Sequence, residues 1–255
     1  SNCLLGIFPE LGYNHSMNLH LTRSGEPLPP PPIDVILASQ SVGRKMLLEK
    51  LGIRFRVAHT RVNEETIMHA DPVTMLKKRA AAKADEVARH PRVYTLSEEF
   101  KTLVITADSM AIIGKKSYGK AENRSDARDI LKALMDKTHA FTTAVVVTLY
   151  EGHTPKQKWE KTVTTKVTMR KLSPAELELY VTRYDFTRFA AGYALNETPW
   201  DLVTKIDGSY TNVIGLPFEV ILPILRKLEI IKPPVDSQAP YVTVPPTPAK
   251  KTKGM

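Results

Sequence analysis

Proline is concentrated at the two ends of the 255-residue chain, and this limits where a folded core can form. Twelve of the 19 prolines lie in residues 1–32 or 233–255, and Pro29–Pro32 form an unbroken run. Segments of this kind favour extended conformations and lack the apolar residues that build a core. We therefore predict tails at residues 1–32 and 233–255 around one domain of residues 33–232, which is long enough for one large core or two lobes.

The composition excludes several classes of protein. Hydrophobic residues make up 42% and charged residues 25% of the chain, as in soluble globular proteins. No uncharged apolar stretch reaches about 18 residues, so we expect no transmembrane helix and no membrane partner. A single cysteine, Cys3, excludes an internal disulfide framework and a Cys-rich zinc site. The first residues lack the pattern of a secretory signal, and we expect a cytoplasmic location.

The net charge of +9 points to an anionic ligand. An excess of this size suits a phosphate, a nucleotide or a nucleic acid, and it is equally compatible with simple solubility. Aromatic residues make up only 7% of the chain, and no RNA- or DNA-binding motif is visible. Because stacking platforms are then few, we do not expect nucleic acid as the partner.

Strand and helix patterns alternate between the two tails. The short apolar run Ile33–Ala38 predicts a buried strand, and Lys45–Leu51 predicts a helix that ends at Gly52. Further strands are predicted over residues 54–58, 102–113 (with a break at Asp108), 139–150, 159–169 and 200–206. Further helices are predicted over residues 71–89, 125–135 and 216–228, and from Ser173 onward. The strands 139–150 and 159–169 predict a long antiparallel hairpin through residues 151–155, so we expect an α/β fold with a mixed sheet.

The turn between the first strand and the first helix has two interpretations. Ser39, Ser41 and Gly43 precede Arg44 and Lys45 at a predicted helix N-terminus. Free backbone N–H groups, a partial positive charge and two cations could form a phosphate cradle there. The alternative is a serine-capped helix with Arg44 and Lys45 in solvent. The spacing of a P-loop, G-x-x-x-x-G-K-[ST], is absent.

Asp108 is the candidate with the clearest physical reason for a function. It lies in an apolar strand, where a lone carboxylate is costly to bury unless it is paired or binds a metal. The alternative is a strand-end aspartate that caps a turn.

Other candidates carry weaker signals. Lys120 follows Gly119 in a predicted loop, where it could reach a polyphosphate oxygen or simply be solvated. The same choice applies to Lys83 on its helix and to Glu64 and Glu65, since paired acids can hold Mg²⁺ but are commonly solvated. Residues 208–217 combine two glycines with Ser, Thr, Asn and Tyr, and they could form either a binding wall or a tight turn before a helix.

Together these segments resemble the Maf family of nucleoside triphosphate pyrophosphatases, over about residues 34–228. The resemblance is carried by short segments in the family's order and spacing: Leu37-Ala38-Ser39, Arg44-Lys45, Leu47-Leu48, Lys83-Ala84, Ala107-Asp108-Ser109, Gly119-Lys120 and Gly208–Pro217. The sequence of the last segment closely matches the family's motif and is the most specific of these segments.

The resemblance implies a mixed twisted sheet in two lobes with an active cleft between them, similar to the architecture of inosine triphosphate pyrophosphatases. It implies hydrolysis of a nucleoside triphosphate between the α and β phosphates, to the monophosphate and pyrophosphate. Mg²⁺ or a similar divalent metal such as Mn²⁺ is the implied cofactor, and a homodimer is the implied assembly.

The resemblance also implies the residues that carry the chemistry. Asp108, Lys83 and Lys120 would be catalytic: Asp108 would bind metal or activate the attacking water, and the two lysines would contact phosphates. Glu64 would assist Asp108 in holding the metal. No covalent nucleophile is required by such a set.

Ser39, Ser41, Arg44, Ser109 and Asn196 would be the substrate-binding residues. Ser109 and Asn196 are shortened versions of the residues in the subgroup that prefers dTTP, UTP and related pyrimidine nucleotides. We therefore expect that substrate class. The same chemistry on 7-methyl-GTP or another modified purine is an alternative, and a nucleotide- or nucleic-acid-binding regulator with little turnover is another.

Two residues of the first motif depart from the family. Val42 stands in place of a proline and Gly43 in place of an arginine. Loss of an arginine that made a charge-assisted hydrogen bond costs about 1.5–3 kcal/mol. We therefore expect activity that is reduced or directed to another base.

Overall fold

The computed structural model describes residues 33–231. The predicted tails at residues 1–32 and 233–255 lie outside the described residues, so their boundaries stay predictions. Within residues 33–231, no helix is both long and apolar enough to cross a membrane.

Strands and helices alternate along the described chain, as the sequence pattern predicts. The strands are β1 (Ile33–Ala38), β2 (Arg56–Ala58), β3 (Lys101–Ile113), β4 (Lys116–Tyr118), β5 (Thr138–Glu151), β6 (Thr154–Met169) and β7 (Val203–Asp207). The helices are α1 (Val42–Lys50), α2 (Pro72–Arg89), α3 (Arg124–Leu134), α4 (Pro174–Arg183), α5 (Tyr210–Ile214) and α6 (Phe218–Lys227). Single 3₁₀ turns span Glu64–Thr66 and Phe186–Arg188.

Side-chain caps explain where the main helices begin. The Ser41 hydroxyl accepts a hydrogen bond from the backbone N–H of Arg44, and the Asp71 carboxylate accepts one from Thr74. Ser173 and Glu176 form a reciprocal capping box at the start of α4. Such caps satisfy backbone donors that lack a partner within the helix.

One mixed sheet crosses the described chain in the order β2-β1-β3-β5-β6-β7, with β4 beside β3. β1 pairs in parallel with both β2 and β3, and the remaining pairs are antiparallel. The predicted α/β fold with a mixed sheet is therefore confirmed.

Two apolar clusters occupy the same face of this sheet, and a polar band separates them. In β3, Ala107 belongs to one cluster and Ala111 to the other, while Ser109 between them is buried and polar. Thr143 of β5 and Asn212 of α5 are also buried in this band. Both clusters lie on one continuous sheet.

Several predicted boundaries are wrong. Asp108 does not break β3, because its backbone stays in register with Ala144 of β5. α1 begins at Val42 rather than Lys45, since Ser41 caps it earlier. β6 begins at Thr154 rather than 159, so the hairpin turn is only two residues long.

Near the carboxyl-terminal end of the described chain, β7 begins at Val203 rather than Trp200, and the final helix spans Phe218–Lys227 rather than 216–228. The short helix α5 was not predicted, because five residues give too little periodicity to recognise.

Candidate active site

The candidate site lies at a gap in the edge of β3. β1 pairs with β3 only as far as Leu37 opposite Ile105, and β4 pairs with the same edge only from Ala111 onward. Residues 106–110 therefore have no strand partner on that edge, although β5 covers the other edge throughout. We call residues 106–110 the edge gap. Unpaired backbone groups there require other partners.

Two cations fill the edge gap by sharing one backbone oxygen. Arg44 donates from Nη1 to the carbonyl oxygen of Ala107 at 2.9 Å, and Lys83 donates from Nζ to the same oxygen at 3.2 Å. Arg44 comes from α1 and Lys83 from α2. The gap thus joins helices on the two faces of the sheet at one carbonyl group.

Glu64, Lys83 and Asp108 form what we call the carboxylate cluster. The Lys83 ammonium is 2.9 Å from Glu64 Oε2 and 3.5 Å from Asp108 Oδ1. Lys83 and Asp108 are both buried, so the alternative of a solvated lysine and a strand-end aspartate is wrong. Glu64 is half-buried in its 3₁₀ turn, while its neighbour Glu65 is exposed.

Burial raises the pKa of Asp108 above its ordinary value. The positive charge of Lys83 opposes this rise in pKa, and the negative charge of Glu64 adds to it. The second carboxylate oxygen, Oδ2, is buried and has no hydrogen-bond partner within residues 33–231. A buried carboxylate oxygen without a partner is a candidate for binding a cation, a proton or a water molecule.

Arg44 is buried rather than solvated, which overturns the alternative for this residue. Its Nε donates to the Gly215 carbonyl at 2.8 Å, and its Nη1 and Nη2 donate to Ser39 Oγ at 2.8 Å and Ser109 Oγ at 2.9 Å. With Ala107, these acceptors take four of its five N–H groups. Burial lowers the pKa of Arg44, while the charges of nearby acids oppose that change. By contrast, Lys45 is exposed, as the interpretation of a serine-capped helix with solvated cations predicts.

Gly43 is held against α5 by a close backbone approach. A Cβ atom at this position would lie 2.7 Å from the Ile214 carbonyl oxygen and 3.0 Å from its Cγ2. The first distance is shorter than real Cβ atoms show, and the second is tighter than most Cβ contacts. The arginine that the family resemblance implies at this position therefore does not fit the present spacing of α1 and α5.

An open cleft lies beside the edge gap, on the Ser109 side of β3. It is lined by the start of α1, by β3 and β5, by the connection after α4 and by α5: Ser41, Gly43, Arg44, Ser109, Phe141, Arg188, Phe189, Ala190, Tyr193, Ala194, Asn196, Val213, Ile214 and Gly215. Residues 213–215 thus line the cleft at the end of α5, and their role in binding stays a prediction. Asn196 reaches α1, where its Nδ2 lies 3.4 Å from Met46 Sδ.

Lys120 stands apart from the carboxylate cluster. Its backbone pairs with Ala190, which lines the cleft, but its side chain is exposed. Its ammonium has no ion pair or hydrogen bond with any other described residue. The structure thus places Lys120 beside Ala190 of the cleft wall, and its role stays a prediction.

Sequence reasoning missed the cleft wall formed by Arg188, Phe189 and Tyr193. These residues lie between α4 and β7, where the chain has no regular periodicity. The Tyr193 hydroxyl lies 2.8 Å from His139 Nε2, and its ring meets Phe141 edge-on. The sequence signal that could have identified this wall was an arginine close to aromatic residues.

The fold and the site define an α/β protein with a charged cleft at the open edge of a central strand. Comparison with known sequences gives the family: the chain belongs to the Maf family, whose description is "Maf-like protein", and matches it over residues 34–228. The dTTP/UTP pyrophosphatase of Aquifex aeolicus is 34% identical over 197 residues, which are 77% of this chain and 96% of that protein. The dTTP/UTP pyrophosphatase of Thermosipho melanesiensis is 34% identical over 199 residues, which are 78% of this chain and 100% of that protein.

Solved structures give a weaker likeness. A dITP/XTP pyrophosphatase from Mycobacterium abscessus is 14% identical with a TM-score of 0.35, over 78% of this chain and 98% of that one. A HAM1 protein from Coxiella burnetii is 12% identical with a TM-score of 0.37, over 76% of this chain and 99% of that one. TM-scores at this level support no conclusion about the present chain.

Proposed function

We propose that the chain hydrolyses dTTP, UTP or modified pyrimidine nucleoside triphosphates between the α and β phosphates. The products are the nucleoside monophosphate and pyrophosphate. Membership of the Maf family supports this reaction, as does the dTTP/UTP pyrophosphatase activity for which its relatives are named. The observation that carries it is the buried Asp108 carboxylate, which Lys83 holds at the edge gap and whose Oδ2 has no partner among the described residues.

A divalent metal fits the donor set of the carboxylate cluster. Mg²⁺ prefers oxygen ligands and is commonly held by one or two carboxylates together with substrate phosphates. Asp108 and Glu64 would hold it, and the unpartnered Oδ2 of Asp108 supports this assignment. Among the described residues, no three or more His, Cys, Asp or Glu side chains lie together so that they could hold a metal ion, so phosphate oxygens and water would complete the coordination. When bound, the metal would supply charge neutralisation on the phosphates.

The remaining chemistry belongs to the protein's own side chains. Asp108 orients a water molecule and accepts its proton while the water oxygen bonds to the α-phosphorus. The bond to the bridging oxygen of the β phosphate then breaks, and pyrophosphate leaves. Lys83 keeps Asp108 in place, and Lys120, whose side chain is exposed, would contact phosphate oxygens.

The Arg44 guanidinium holds parts of the site together, and it is not free to act only as a cation for the substrate. It donates to Ser39 just after β1, to Ser109 of β3 and to the Gly215 carbonyl. One N–H group is left for a phosphate oxygen. Loss of Arg44 would therefore disturb the cleft and the edge gap together.

Pyrophosphate release from a nucleotide panel tests the reaction. The panel contains dTTP, UTP, CTP, 5-methyl-UTP, GTP and 7-methyl-GTP, each with Mg²⁺ or Mn²⁺ and with EDTA. We expect metal-dependent release from the uracil and thymine nucleotides, abolished in Asp108→Asn and retained in Asp129→Asn, an exposed aspartate of α3. If pyrophosphate were released fastest from 7-methyl-GTP, the substrate would be a modified purine nucleotide, as the alternative states. No release from any nucleotide would contradict the proposal and favour a binding role.

The cytoplasmic location and the homodimer belong to the same proposal. Both come from the sequence pattern and the family resemblance. Light scattering at micromolar concentration tests the dimer, and a mass of one chain would contradict it.

A further inference from the structure

The cleft is lined by two arginines that differ in how much of their hydrogen-bonding capacity is in use. Arg44 is buried and gives four of its five N–H groups to acceptors of the protein itself. It therefore has little left to offer a ligand. The other arginine, Arg188, ends the 3₁₀ turn after α4 and lines the same cleft.

Arg188 keeps most of its donors available. Its single hydrogen-bonding partner within residues 33–231 is Glu197, and the contact from Nη1 to Oε2 is 3.5 Å long. About half of the Arg188 side chain is exposed, and exposed ion pairs of this length are weak. The guanidinium lies over the ring of Phe189, 5.4 Å from its centroid, and Phe189 lines the same cleft.

The wall that carries Arg188 is aromatic. Phe189, Tyr193 and Phe141 line it, and Asn196 adds an amide. Since the Tyr193 hydroxyl is bonded to His139, Tyr193 has mainly its ring to offer to the cleft. Aromatic rings with a few polar donors suit a flat heterocycle, whereas phosphates suit the cationic edge gap on Asp108's side of the site.

We propose that Arg188 and Phe189 form the base-recognition pair of this cleft. The inference rests on the proposed function and specifies how the nucleotide is selected. The base packs against the ring of Phe189, and the Arg188 guanidinium donates hydrogen bonds to a carbonyl oxygen of the base. We assign this contact to the 4-position of the base. Because a guanidinium only donates, it favours uracil and thymine, which carry a carbonyl oxygen there, over cytosine, which carries an amino group there.

Equilibrium binding separates the base from the phosphates. The ligands are UMP, CMP and inorganic pyrophosphate, titrated calorimetrically at constant Mg²⁺ into the full chain. For the wild type we expect tighter binding of UMP than of CMP. In Arg188→Ala we expect UMP affinity to fall about ten-fold and the preference over CMP to vanish, with pyrophosphate affinity unchanged within about two-fold. Arg183→Ala, an exposed arginine of α4, is the matched control and should behave like wild type.

Variants of Phe189 test the aromatic member of the pair. Phe189→Leu should weaken UMP and CMP alike by about ten-fold, while Phe189→Tyr keeps the ring and should keep the affinity. Circular dichroism of each variant shows whether the fold is kept. A Phe189→Leu protein with wild-type affinity would remove the stacking role.

The outcomes distinguish this inference from the proposed reaction. Unchanged UMP affinity in Arg188→Ala, or an equal loss for UMP and pyrophosphate, would overturn the base-recognition pair even if the wild type releases pyrophosphate from UTP. The expected binding pattern in a protein that hydrolyses no triphosphate would uphold the pair and overturn the reaction. A wild type that binds pyrophosphate but not UMP would overturn the pair.

Discussion

At the scale of single residues, one carbonyl oxygen organises the candidate site. The Ala107 carbonyl accepts from Arg44 of α1 and from Lys83 of α2, so both cations are fixed relative to β3. Lys83 in turn contacts both carboxylates of the cluster. Removing one partner of such a buried set leaves the others with uncompensated charge, which is more costly than losing a surface pair.

The pH dependence of catalysis tests this arrangement. Burial raises the pKa of Asp108 in the metal-free protein, and a bound divalent metal would lower it, so the informative quantity is the shift of the acid limb of kcat/KM between variants at one fixed metal concentration. Lys83→Gln removes the charge that opposes this rise in pKa, so the acid limb should move to higher pH and the maximal rate should drop. A pH–rate profile measures both.

Lys78→Gln is the matched control, since Lys78 is an exposed lysine of the same helix. Its profile should overlay that of the wild type. An acid limb that does not move in Lys83→Gln would show that Asp108 is not the group whose protonation stops the reaction.

A second residue-scale prediction concerns stability. Burial lowers the pKa of His139 from 6.5 to about 4, so the folded state keeps this imidazole neutral while the unfolded state protonates it. The stability that depends on the neutral imidazole is fully present above the pKa of the unfolded state. It is lost as the pH falls toward the pKa of the folded state. We expect the free energy of unfolding to drop by about 2 kcal/mol more in wild type than in His139→Phe between pH 7.5 and pH 5.

Urea unfolding at the two pH values measures this difference. The comparison with His139→Phe cancels the titration of other groups. Equal pH dependence in the two proteins would mean that His139 is protonated in the folded state.

At the scale of elements, the approach of α1 to α5 sets the shape of the cleft. Gly43 permits the contact with Ile214, and Arg44 then reaches the Gly215 carbonyl. Gly215 ends α5 with a φ of 116°, a left-handed conformation that favours glycine.

The contact between these two helices predicts the effect of Gly43→Ala. An alanine normally favours a helix over glycine by about 1 kcal/mol. Here its Cβ would press on the Ile214 carbonyl, so we expect a net loss of stability of about 1–3 kcal/mol in urea unfolding.

Gly119→Ala provides the comparison, because no heavy atom lies within 4 Å of a Cβ built there. It should change stability by less than about 0.5 kcal/mol. A stabilising Gly43→Ala would mean that α5 yields easily to the added methyl group.

Most elements could be predicted from sequence, but the shortest helix could not. β1, α2 and the β5–β6 hairpin carry strong periodic patterns and cap residues, which are local signals. α5 is too short to show a period, and the strand break expected at Asp108 failed because Lys83, distant in sequence, offsets the buried charge. The candidate residues were identified individually, but their meeting at the edge gap depends on where β1 and β4 stop pairing with β3, which no local pattern encodes.

At the scale of the whole molecule, the site draws on most of the described chain. The edge gap and the cleft use α1, α2, β3, β5, α5 and the connection after α4. A ligand that binds there should therefore stabilise the folded state as a whole by mass action.

A thermal shift experiment tests this stabilisation. The α,β-methylene analogue of UTP with Mg²⁺, at about 100 times its dissociation constant, should add about 2.7 kcal/mol. For a protein of this size that is a rise in Tm of about 5–10 °C. Uridine, which lacks phosphates, should give a smaller shift, and the absence of any shift with the analogue would contradict a nucleotide site.

The alternation of side chains along β3 has a consequence for how such a protein can evolve. Asp108 and Ser109 are neighbours in the chain but point to opposite faces of the sheet, so the carboxylate cluster and the cleft share a backbone and few side chains. Mutations in the wall after α4 can then change which base is accepted without touching the bond-breaking residues. Proteins of this kind can thus evolve to accept other nucleotide substrates while selection continues to preserve the residues that carry out hydrolysis.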